Sequence, residues 1–149
     1  RMLQLADPVP APAEAVPFSL PFVLALVLRR VPAGPEWIAP RTLADPDVLA
    51  LARRVSIDAD PKIDEVVDGT GRLPAEVCVR MDDGRLLRGT VADAPWGPDD
   101  SPDGRDLEAK FLGMAQPCLG DRARRFAASL RCPPAAGSLT ARHIADLVA

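Results

Sequence analysis

Few groups in this 149-residue chain can carry acid–base, nucleophilic or metal chemistry. His143 is the single histidine, tyrosine is absent, and Lys62 and Lys110 are the only lysines. Cys78, Cys118 and Cys132 are odd in number and show no C-x-x-C spacing, so neither a disulfide framework nor a zinc site is indicated. They read as buried free thiols of a cytoplasmic protein. Asp58, Asp60 and Asp64 crowd together and could serve a recruited active site, although the solvated end of a strand accounts for them more simply. General acid–base catalysis needs two groups within hydrogen-bond reach of one substrate atom, and His143, the lysines and the surface carboxylates form no such pair by spacing. The DGTG run at 68–71 is too short for a phosphate loop and lacks its lysine. Catalytic residues stay unassigned on these grounds, and metal-ligand spacing is lacking. A net charge of −3 and a pI near 5.1 carry no electrostatic footprint for nucleic acid.

The element that must position any site is the run PFSLPFVLALVLRR at 17–30. From Phe18 to Leu28 it is apolar except for Ser19, which predicts a helix starting near Ser19 and covered on all sides. Such a helix spans about 16 Å against the ~30 Å of a bilayer, so a membrane span is excluded. The arginines that follow it, with no small-residue cleavage site, are also unlike a signal peptide. Upstream, Met2, Leu3 and Leu5 suggest the tail of a strand, followed by a connector punctuated by Pro8, Pro10 and Pro12. Downstream, Trp37 sits in a loop as a core plug. Asp45-Pro46 reads as cap and first residue of a short helix with Val48, Leu51 and Ala52 on one face. The alternation of Val55, Ile57 and Ala59 predicts a half-buried strand, and 61–74 a polar loop.

Residues 76–91 predict a β-hairpin. A three-residue Asp82-Asp83-Gly84 loop, with Gly84 left-handed, sets Val79 against Leu87 and Val77 against Gly89. This register places Val77, Val79, Met81, Leu87 and Val91 on one face. The turn-rich stretch 95–104 marks a boundary. Beyond it the pattern is helical: a helix capped by Ser101 carries Leu107, Phe111 and Met114 to about Pro117. A second, from Asp121, carries Ala123, Phe126, Ala127 and Leu130 inward. A last one, after Ser138 or Thr140, carries Ile144, Leu147 and Val148.

The ordered set FSLPFVLALVL (18–28), DPDVLALARRVSIDAD (45–60), EVCVRMDDGR (76–85) and LEAKF (107–111), with its proline-rich loop, resembles the C-terminal part of the MmgE/PrpD family. That family includes 2-methylcitrate dehydratase, cis-aconitate decarboxylase and iminodisuccinate epimerase. No single motif is diagnostic; their order and spacing over nearly the whole chain carry the likeness. The resemblance implies an α+β fold, a two-layer sandwich of antiparallel sheet and helices followed by C-terminal helices. It divides the chain into a lid domain at 1–97 and a helical segment at 98–149. The family's large helical domain, which supplies its catalytic aspartate and histidines, has no counterpart in this sequence.

The resemblance also implies a site. The family's decarboxylase carries a tyrosine in an S-x-x-Y turn at the start of the hydrophobic helix. Ser19 keeps the serine, and Phe22 stands at the tyrosine position without the hydroxyl needed for proton transfer. Ser19 and Phe22 are therefore the candidate substrate-binding residues, with a helix cap and a core phenylalanine as their plainer reading. Three functions remain open. The first is the lid portion of an enzyme acting on small carboxylic acids by proton abstraction next to a carboxylate, inactive without a helical partner domain. The second is a free-standing lid recruited to another small-molecule reaction, and the third a non-catalytic binding or assembly module. The apolar positions of 106–149 call for a cover, which makes a homodimer or a separate helical MmgE/PrpD-type subunit the expected partner.

Overall fold

A computed structural model describes residues 5–97, 100–131 and 145; of Leu130 and Arg131 it describes the backbone. The chain forms two compact units, Ile57–Pro102 and the residues on either side of it. The class is α+β.

The flanking unit is built on the hydrophobic run. A 3-10 turn at Ala13–Phe18 leads into α1, Leu20–Leu28. Ser19 is its N-cap, and Pro21 falls in the first turn, where a missing N–H costs no helical hydrogen bond. Phe22, Ala25 and Leu26 are fully buried, and with Val16, Val48 and Ala52 they make the core. Each large side chain in it contributes ~1.5–3 kcal/mol by leaving water. Contrary to the expectation of all-round cover, Val27 and Leu28 are about half exposed and Phe18 is 66% exposed. Among the described residues, the main partners of α1 are the preceding 3-10 turn and α3, with Trp37 packed against the same core.

Trp37 belongs to a second 3-10 turn, Pro35–Ile38, and plugs the core edge as expected. Its Nε1 donates to the Val31 carbonyl at 3.1 Å. The one-turn helix α2, Pro40–Leu43, connects to α3, Pro46–Ala52. Asp45 caps α3 by accepting from the Asp47 and Val48 amides, and Val48 and Ala52 face α1. In the same unit, α5 (Gly104–Leu119) and α6 (Asp121–Arg131) pair through Phe111 and Phe126, ring centroids 5.4 Å apart. Ala123 and Ala127 of α6 are buried, as the periodicity predicts, whereas Leu107 and Met114 are more than half exposed.

The cap of α5 is Asp103 rather than Ser101, because Asp106 completes a reciprocal capping box with it. The helix also runs past Pro117 to Leu119. Pro117 has no N–H for the Gly113 carbonyl one turn back. That carbonyl instead faces Gly34, lying 3.2 Å from where a β-carbon would stand. Gly34 has φ +147°, so the close approach and the backbone both call for glycine. The last expected helix, with His143, Ile144, Leu147 and Val148, falls outside the described residues, as do Cys132 and the strip Met2 and Leu3.

The unit Ile57–Pro102 corrects two expectations. Residues 55–59 form no strand: Val55 and Ile57 are half-buried and Ala59 is exposed, but among the described residues no neighbouring strand pairs with them. Residues 61–70 are not a loop but helix α4, Pro61–Thr70. Asp60 caps it through the Lys62 amide at 2.9 Å, and Pro61 takes the first helical position. Gly71 ends it at φ +70°. Strands β1 (Ala75–Arg80) and β2 (Leu86–Val91) then pair antiparallel in the expected register, Val79 with Leu87 and Val77 with Gly89. Gly84 is left-handed at φ +86°, and its amide closes the turn on the Met81 carbonyl. Every strand residue except the half-buried Val79 is exposed. Cys78 and Cys118 are free but exposed, not buried.

Candidate functional site

The two residues singled out by sequence lie together at the start of α1. The Ser19 backbone is extended, the conformation of a cap, which aims its side chain along the helix. Its Oγ accepts from the Phe22 amide at 3.2 Å and donates to the Asp7 carbonyl. The hydroxyl thus ties the proline-rich connector to the first turn of α1. Ser19 is 2% exposed and Phe22 is fully buried. Phe22 packs in the core with Val16, Leu26 and Val48. Both residues therefore fix the entry to α1 from within the protein. Without a hydroxyl, Phe22 can neither donate nor accept a proton there.

Beyond this turn, the strongest electrostatic feature of the unit is Glu36. Its Oε1 accepts from Arg41 Nε at 2.8 Å and from the Thr42 hydroxyl at 2.9 Å. The hydrogen bond from Arg41, followed by that from Thr42, lowers the Glu36 carboxyl from 4.5 to about 2. The same contact raises Arg41. With both partners engaged, the cluster braces the Trp37 loop against α2. A carboxyl held so far below neutral pH is a poor general base.

The unit Ile57–Pro102 carries an open groove of about 450 Å³ that sequence reasoning missed, lined by Arg72, Val91, Asp93, Pro95 and Asp100. Its carboxylates shape the loop. Asp93 Oδ1 accepts from the Leu73 and Ala94 amides at 2.9 and 2.8 Å, and Asp100 Oδ2 accepts from the Trp96 amide at 3.4 Å. Trp96 itself sits at φ +64°, rare for an aromatic residue. The signal in sequence was the turn-rich stretch 95–104, which marks a loop but not what the loop encloses.

The acidic cluster dissolves into separate tasks: Asp60 is the cap of α4 and Asp64 lies in its first turn. Among the described residues, no three His, Cys, Asp or Glu side chains gather as a metal site would require. No helix among them is long and apolar enough to cross a membrane.

The sequence profile of the MmgE/PrpD C-terminal domain matches residues 3–132. An α+β chain with a capped hydrophobic helix, a D-G hairpin and a following helical pair thus belongs to the MmgE/PrpD family, and represents its C-terminal domain. No curated protein and no solved structure matches the chain significantly.

Proposed function

We infer that this chain is the lid portion of an MmgE/PrpD-type enzyme acting on small carboxylic acids. The chemistry is dehydration, decarboxylation or epimerisation, each begun by abstracting a proton next to a carboxylate. The observation that carries this reading is the family match over residues 3–132. The catalytic aspartate and histidines come from a helical domain, as a separate subunit or as another part of a longer chain. The lid alone is inactive. Residues 1–97 act as the lid and 98–149 as the helices that return to the helical domain.

Within this reading the buried Ser19–Phe22 turn fixes the start of α1, and so the surface that faces the substrate, without touching the substrate itself. Phe22 contributes ring volume and no proton. The exposed Leu107 and Met114 of α5 offer apolar surface for the helical partner or for a second copy of this chain. The protein works in the cytoplasm and uses no metal or organic cofactor. The test is to purify the natural gene product without a tag, determine by native mass spectrometry what accompanies it, and assay both forms for exchange of the substrate's α-proton in deuterated water. Exchange confined to a form containing a helical MmgE/PrpD domain is the expected result.

A further inference from the structure

We draw no further inference here: the strongest candidate, the apolar face of α1 left exposed at Val27 and Leu28 beside the left-handed Arg30, carries nothing because nothing in the structure shows what covers it.

Discussion

Ser19 shows how one side chain can hold two segments. Its hydroxyl serves the Phe22 amide and the Asp7 carbonyl while being almost wholly buried. Ser19→Ala should destabilise the chain by about 1–2 kcal/mol in chemical denaturation, since a cap is lost and a buried amide is left without its acceptor. Phe22→Tyr introduces an aromatic alcohol at a position with no exposure. The introduced hydroxyl would enter the core between Val16, Leu26 and Val48. An unpaired buried hydroxyl costs about 1–3 kcal/mol by protein mutational measures, so the melting temperature should fall and no turnover should appear. A more stable Phe22→Tyr would mean that the hydroxyl finds a partner at the start of α1.

Glu36 links the same unit to pH. Its carboxyl is lowered from 4.5 to about 2, first by Arg41 and then by Thr42. A group depressed in the folded state stabilises above its unfolded pKa and loses that contribution as the pH falls through its folded value. Stability should therefore decline between pH about 4.5 and about 2. In Glu36→Gln this part of the decline should be absent, with lower stability at neutral pH. Denaturation series of both proteins across that window measure it directly.

Among the elements, the hairpin was fully legible in the sequence. A three-residue turn with one glycine and alternating apolar residues admits one register that keeps Val77, Val79 and Leu87 on one face. Gly84, at φ +86° with open space around it, makes the sharpest test. Gly84→Ala should cost roughly 1 kcal/mol from the left-handed backbone alone, with no clash to add to it. An unchanged melting midpoint would contradict the turn.

Helix α4 was equally well signalled by Asp60-Pro61 at its start and Gly71 at its end. Its weak apolar face, Ile63 and Val67 among charges and glycine, let the turn residues dominate the reading. The strand expected at 55–59 failed for the opposite reason. Its alternation is real in burial, since Val55 and Ile57 are half-buried, but a strand exists only where another strand supplies hydrogen bonds. Periodicity reports a face and not a partner. The same limit explains α1, whose uniform apolarity concealed which side would be covered. At the site, the Ser19 cap was legible in the sequence but the depth of Phe22 was not, and the turn-rich stretch 95–104 marked a loop without revealing the groove beside Arg72.

At the scale of the whole molecule, the chain supplies a capped hydrophobic helix, a helical pair and a hairpin, and it belongs to the MmgE/PrpD family. Exposed apolar side chains lie on α1 at Val27 and Leu28, on α5 at Leu107 and Met114, and on both strands at Val77, Leu86, Leu87 and Val91. Scattered exposed leucines need no explanation, whereas contiguous apolar patches mark contact surfaces. On the lid reading proposed above, such surfaces meet a helical domain, and the chemistry is conditional on that meeting. The most direct test is nuclear magnetic resonance of small di- and tricarboxylic acids in deuterated water, with the purified chain alone and with the complex recovered from its native source. The lid reading predicts no loss of the α-proton signal with the chain alone and steady loss with a complex containing a helical MmgE/PrpD domain. Steady loss with the chain alone, abolished by Asp58→Asn or His143→Ala, would contradict it.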